Sequence, residues 1–321
     1  MTEMMRAALY DRFGGPEVLY VGEVPKPVPG PGEVLVKVGA MSINGGELHA
    51  RAGRFKAVTG RKFPLRTGLD FAGEVAQLAS PVAGLAVGDR VWGILPRSSG
   101  FGSAAEYVVV RPEQMSRSPK GLDPVEAVAM PVGTTAVTAL RDKARLRPGE
   151  RLLVRGAAGG VGNVAVQLGK AMGAQVTGLA RAESLALVRE LGADEALDYR
   201  ATTPADLGRY DVVLDTVGKD LPDYRRLLAP GGRMVAIAFD TDRIAASLGY
   251  ILASAVHGRS RVRFFSGNPK TELFNELTSY VEQGTLRPIV DTVFPLADIA
   301  DAHRALEAGG VRGKYVVRIA S

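Results

Sequence analysis

The stretch RLLVRGAAGGVGNVAVQLGKAMGAQVTGLAR, residues 151 to 181, constrains this chain more than any other. An apolar strand over Leu152 to Val154 runs into a glycine-rich turn, and the turn opens an amphipathic helix. Gly159 and Gly162 stand at the second and third glycine positions of a dinucleotide fingerprint, with Ala157 at the first. Such a pattern has meaning only in this strand–turn–helix setting. Small residues let the backbone approach a pyrophosphate closely. The helix N-terminus then supplies free N–H groups and a positive dipole end. Ala158, Gly159, Gly160, Val161 and Gly162 are therefore the expected pyrophosphate cradle.

The next strand indicates which dinucleotide is held. NAD-binding units commonly place an acid at its end to hold the ribose hydroxyls. Here the strand ends Gly178-Leu179-Ala180-Arg181. An acid repels a 2′-phosphate, whereas a guanidinium forks onto it. Ser184 can add a hydroxyl, and Glu183 falls on a solvated helix turn. NADPH is thus expected over NADH.

Around this motif the texture divides in two. From about 123 to 285 strands and helices alternate, which predicts βαβ units and a doubly wound parallel sheet. Residues 1 to about 120 read as short strands broken by Gly and Pro, as in GEVLVKVGAMSIN and VGDRVWGIL, which suggests a compact β-barrel-like domain. The tail supplies a helix in VFPLADIADAHRALEAG and a final strand in KYVVRIAS. A length of 321 residues suits two domains. The fold class is α/β: a β-barrel-like domain plus a Rossmann sheet.

Composition removes several functions. The chain has no cysteine, which excludes disulfides, iron–sulfur clusters and thiolate zinc sites. Its only histidines, His49, His257 and His303, are scattered and read as structural, so a zinc site would need carboxylates. The net charge of +6 is dispersed without basic–aromatic stacking segments, which reads as a solvated basic surface rather than a nucleic-acid site. The basic run RAGRFKAVTGRK at 51 to 62 fits either an anionic substrate or a solvated loop. No long uncharged apolar run predicts a membrane helix, and the N-terminus lacks an apolar signal core. A cytoplasmic protein without membrane partners is expected.

The segments GLDFAGEV, VGDRVWG, GSAAEYVVV, AAGGVGNVAVQLGKAMGA, LGADEALDYR, YDVVLDTVG, LAPGGRMV and GKYVVRI extend this reading along the whole chain. Taken in order, they make it resemble a medium-chain dehydrogenase/reductase of the zinc-free, quinone-oxidoreductase type. The resemblance implies a GroES-like catalytic domain (1–122 and 286–321), a Rossmann NADPH-binding domain (123–285) and a homodimer. Asn44 stands where zinc-bearing members have their first ligand, a Cys, and Leu69 where they have a His, leaving Asp70 alone. That implies no zinc. The resemblance further implies that Asn44 and Thr135 lie beside the nicotinamide as catalytic residues, with Asn44 near the substrate carbonyl. The family pattern Asn-Pro-x-Asp is here Asn44-Gly45-Gly46-Glu47. Tyr199 is expected near the 2′-phosphate. Phe264, Phe265 and Ser266 are expected over the nicotinamide, with Val217 and Phe239 completing the cofactor contacts. Trp92 is expected at the pocket mouth. Each assignment has a structural rival: a turn-satisfying Asn44, a packing hydroxyl at Thr135, a strand-end aromatic at Tyr199, core phenylalanines at 264 and 265.

The implied chemistry is hydride transfer from NADPH to a small acceptor, a quinone or an α,β-unsaturated carbonyl. Asn44 and backbone N–H groups would stabilise the oxygen that gains charge, and water would supply the proton. Enoyl-thioester reduction and NADP-dependent alcohol oxidation are rival chemistries. An NADPH-bound interaction or RNA-binding protein is the rival outside enzymes.

Overall fold

The computed structural model describes residues 3–54, 56, 62–80, 82, 84–96, 100–240, 243–254, 256, 260–265 and 267–319, without the side chains of 244, 245 and 248. The chain forms two compact units. Unit 1 comprises Met1–Pro131, Asn268–Gly284 and Pro288–Ser321; unit 2 comprises Val132–Gly267 and Thr285–Arg287.

In unit 1 the chain runs through β1 (Met4–Tyr10), β2 (Tyr20–Pro25), β3 (Val34–Ser42), α1 (Gly45–Arg51) and β4 (Leu65–Arg66). It continues through β5 (Asp70–Leu78), β6 (Arg90–Ile94), β7 (Tyr107–Val110), β8 (Met115–Arg117) and α2 (Pro124–Ala127). Unit 2 follows with α3 (Gly133–Val137), β9 (Arg151–Arg155), α4 (Gly160–Ala171), β10 (Gln175–Ala180), α5 (Leu185–Glu190) and β11 (Glu195–Asp198). Then come β12 (Tyr210–Asp215), α6 (Leu221–Arg225), β13 (Leu228–Ala236), α7 (Ile244–Ser254) and β14 (Val262–Phe264). The chain returns to unit 1 with α8 (Thr271–Glu282), β15 (Val290–Pro295), α9 (Ile299–Ala308) and β16 (Lys314–Arg318).

Unit 1 is built on a sheet ordered β15-β16-β3-β5-β6-β8, with β7 also on β3, and a smaller sheet ordered β2-β1-β4. Strand β3 is antiparallel to both β5 and β16, with Ala40 opposite Ala72 and Ser42 opposite Val316. This register gathers the end of β3, the start of β5 and the start of β16 at one place. The apolar side chains beneath, among them Val36, Met41, Phe71, Val91 and Val317, are fully buried.

The sheet of unit 2 is wholly parallel, in the order β11-β10-β9-β12-β13-β14. Numbered within the unit this is 3-2-1-4-5-6, the doubly wound order whose direction reverses between the first and fourth strands. The two strands flanking that point are continuous apolar runs, Leu152–Val154 and Val212–Leu214, buried on both faces. Each such side chain contributes about 1.5–3 kcal/mol.

The boundaries differ from the sequence expectation of 123 and 285, because 123–131 and 268–284 pack with unit 1. Helix α8 is tied there by Thr271 Oγ1, which donates to Pro112 O (2.8 Å), and by Thr278 Oγ1, which donates to Arg117 O (3.2 Å). Helix α2 sits against the bare backbone of Gly39, where a Cβ would lie 2.8 Å from Pro124. Helical spacing in a sequence shows that a helix forms, not which core it joins.

Candidate functional site

In unit 2 the turn after β9 has little room for side chains. Gly156 has φ +73°, the left-handed region that suits glycine, and a Cβ there would overlap Thr216 Oγ1. A Cβ on Gly162 would overlap the Gly156 carbonyl oxygen, so the third glycine lets α4 begin directly against the turn. Helix α4 is N-capped by Gly159, which has no side chain to cap the first-turn N–H groups. Gly159, Gly160 and Val161 are half-buried, whereas Ala158 and Gly162 are buried. Backbone donors, a helix dipole and an uncapped start fit an anionic pyrophosphate.

The turn after β12 is clamped beside it. Asp215 Oδ1 accepts from the N–H groups of Val217 and Gly218, both at 2.7 Å, while Thr216 Oγ1 donates to Arg155 O at 2.7 Å. Arg155 forms a buried ion pair with Asp215 and lies 3.5 Å over the Tyr224 ring. Val217 is exposed at this turn, and Phe239 meets Phe264 edge-on at 5.7 Å. Phe265 is half-buried under Lys143, whose Nζ lies 5.9 Å from the ring centre. Ser266 lies outside the described residues. Gly156, Arg155 and Asp215 went unnoticed in the sequence. The glycine directly after an apolar strand was the available signal.

At the end of β10 the expected charge and ring come together: Arg181 Nε donates to Tyr199 OH at 3.3 Å. Tyr199 is 45% exposed and fixed by its N–H to Ala180 O (3.1 Å), so its face is open. Ser184 is buried, and its N–H donates to Arg181 O at 2.9 Å. Thr135 is half-buried on α3, where its N–H donates to Val132 O (3.0 Å).

In unit 1 Asn44 lies in a buried polar network. Its Nδ2 faces Ser42 O (3.1 Å), Glu47 Oε1 (3.0 Å) and Asp70 Oδ2 (3.0 Å). Its Oδ1 accepts from Lys314 Nζ at 2.6 Å. Lys314 also donates to Ile43 O (2.9 Å) and sits 3.8 Å from Asp70 Oδ2. Asp70 accepts from Ser42 N (2.7 Å) and Ser42 Oγ (2.5 Å). Glu47, third residue of α1, takes the Asn44 N–H at 3.2 Å, half of a capping box, plus Thr67 Oγ1 (3.2 Å) and Gly68 N (3.1 Å). The sequence reading gave Asn44 a free donor for a carbonyl oxygen. Here both amide hydrogens face protein acceptors. Lys314 was missed; a lysine opening the apolar strand KYVVR was the available signal.

Burial, reinforced by the Asp70 charge, pushes the Glu47 carboxyl up to about 8, and burial pulls the Lys314 ammonium down. A raised folded-state value means that the native state keeps a proton the unfolded chain has released. That stabilisation is fully present below 4.5, the ordinary value, and is lost as pH rises through about 8. Urea unfolding across this window is therefore expected to show wild-type stability falling, relative to Glu47→Gln, as pH rises. Parallel curves for the two proteins would contradict it.

One sequence expectation needs correction. Trp92 lines no mouth: it is 0% exposed, and its Nε1 donates to Ser116 Oγ at 2.8 Å. Much of the basic run at 51 to 62 lies outside the described residues, as does His257. His303 is fully buried, and burial depresses it to about 3, consistent with a neutral core ring.

The chain is similar to known proteins along nearly its whole length. A family model described as an alcohol dehydrogenase GroES-like domain matches residues 30–120, and one described as a zinc-binding dehydrogenase matches 191–317. The chain is 32% identical to a mitochondrial NAD(P)H oxidoreductase of Danio rerio, over 98% of this chain and 92% of that one. The chain belongs to the quinone-oxidoreductase-like family of medium-chain dehydrogenases/reductases. An NADPH-dependent alkenal/one oxidoreductase of Arabidopsis thaliana chloroplasts is also 32% identical, over 98% of this chain and 79% of that one. The solved quinone oxidoreductase of Coxiella burnetii superposes with a TM-score of 0.89 at 30% identity, covering 99% and 100% of the two chains. Among the described residues no three His, Cys, Asp or Glu side chains converge to hold a metal. Asn44 and Asp70 share their site with the Lys314 ammonium, a cation where a zinc ion would need donors.

Proposed function

We propose that this protein is a zinc-independent, NADPH-dependent oxidoreductase that reduces a quinone or an α,β-unsaturated carbonyl. The observation that carries the reading is the glycine cradle at the sheet's reversal point, followed by Arg181 and Tyr199 rather than an acid. In this reading α4 holds the pyrophosphate on its first-turn N–H groups, and Arg181 and Tyr199 take the 2′-phosphate. Val217, Phe239 and Phe264 supply apolar surface for the far end of the cofactor, with Phe265 and Ser266 continuing that loop. Bound nicotinamide supplies a hydride equivalent. Unit 1 contributes the network around Asn44, and Thr135 remains the unit 2 hydroxyl assigned beside the ring. Lys314 takes the place of a metal by balancing Asp70. The names of the Coxiella burnetii and Arabidopsis thaliana relatives support quinone and alkenal/enone acceptors. A homodimer and a cytoplasmic address belong to the same proposal.

Arg181→Ala tests the cofactor assignment. Loss of a charge-assisted hydrogen bond costs about 1.5–3 kcal/mol, so KM for NADPH is expected to rise about 10- to 100-fold. KM for NADH should stay unchanged. An equal effect on both cofactors would overturn the assignment.

A further inference from the structure

The Asn44 amide can donate two hydrogens and accept two. Its donors are spent, because three acceptors, Ser42 O, Glu47 Oε1 and Asp70 Oδ2, lie within 3.1 Å of Nδ2. Its oxygen accepts from Lys314 at 2.6 Å. A flipped amide would set its oxygen against Asp70 Oδ2 and the Ser42 carbonyl oxygen and its NH₂ against an ammonium. The network therefore allows one orientation. The atom with capacity left is Oδ1, which has a second lone pair.

Lys314 is suited to enforce this. It is 4% exposed, its Nζ is fixed by Ile43 O at 2.9 Å, and it opens β16, whose register against β3 brings it to Asn44. We propose that Lys314 is a positioning residue that presents Asn44 to a bound ligand as a hydrogen-bond acceptor, through Oδ1. The matching ligand group is a hydroxyl or an amide N–H, not a carbonyl oxygen. The inference rests on the reading that Asn44 serves the reaction.

The test uses the full chain with NADPH and a hydroxy-substituted quinone, whose hydroxyl is the donor that Oδ1 would accept from. Asn44→Ala examines the underlying reading and should lower kcat about 100-fold. Lys314→Met alone leaves Asp70 unpaired, so the charge-compensated Lys314→Met/Asp70→Asn protein is the decisive variant. It is expected to fold, to keep KM for NADPH within about twofold and to lose kcat by about 10- to 100-fold, since small misplacements at a reacting group cost that much. A folded double variant with wild-type kcat overturns the positioning role while Asn44→Ala still fails. Wild-type kcat in Asn44→Ala instead overturns the reading of Asn44. If the double variant does not fold, the wild-type Asn44 side-chain amide protons decide by NMR. Two slowly exchanging signals are expected, and rapid exchange would overturn the proposal.

Discussion

Lys314→Met is expected to lower the unfolding free energy by about 3–5 kcal/mol, the usual cost of removing one partner of a buried ion pair. Asp70 is 1% exposed and lies 3.8 Å from the Lys314 ammonium. Ser42 and Asn44 donate to its carboxylate, but they carry no charge. Without the lysine, an ionised carboxylate stays in the interior and the Asn44 oxygen loses its donor. Adding Asp70→Asn removes the uncompensated charge and should recover most of the loss, because neutral replacement of a buried pair is often tolerated. Urea unfolding of the three proteins checks this. A single variant within about 1 kcal/mol of wild type would mean that the pair is solvated and contributes little.

The second large effect concerns the glycine turn. A Cβ at Gly162 would overlap the Gly156 carbonyl, a backbone atom held in place by the Thr216 hydroxyl on Arg155 O and by the left-handed Gly156 conformation. Gly162→Ala must therefore shift the start of α4 away from β9, at about 1–3 kcal/mol. Displaced first-turn N–H groups should weaken NADPH binding about 100-fold. Gly159→Ala separates packing from binding. A Cβ there meets only Gly156 O, at 3.4 Å, so stability should hold while the approach of a pyrophosphate is obstructed. Melting temperature and NADPH titration of both variants provide the check. Unchanged NADPH binding in Gly162→Ala would remove the cradle from the site.

Local structure was legible in the sequence. The strand–turn–helix motif and Arg181 at the end of the second strand are written in consecutive residues, and the parallel sheet forms around them as expected. Features set by distant pairing were not legible. Asn44, Glu47, Asp70 and Lys314 meet only because β3 pairs with both β5 and β16, and no local pattern announces that. The absence of a free donor on Asn44 likewise depends on three acceptors from different segments. Trp92 misled for a related reason: an indole suits a pocket rim as readily as a core, and its partner Ser116 lies on another strand. The division between the units shifted because α2 and α8 have the same spacing whichever core receives them.

The most direct test of the central claim is NADPH oxidation, followed by its near-ultraviolet absorbance, with a quinone, an enone, an enoyl thioester and an aldehyde as acceptors and a metal chelator present. Turnover of the quinone or the enone is expected, at the same rate with and without chelator. Turnover of the aldehyde alone, or activity that disappears with the chelator, would contradict it.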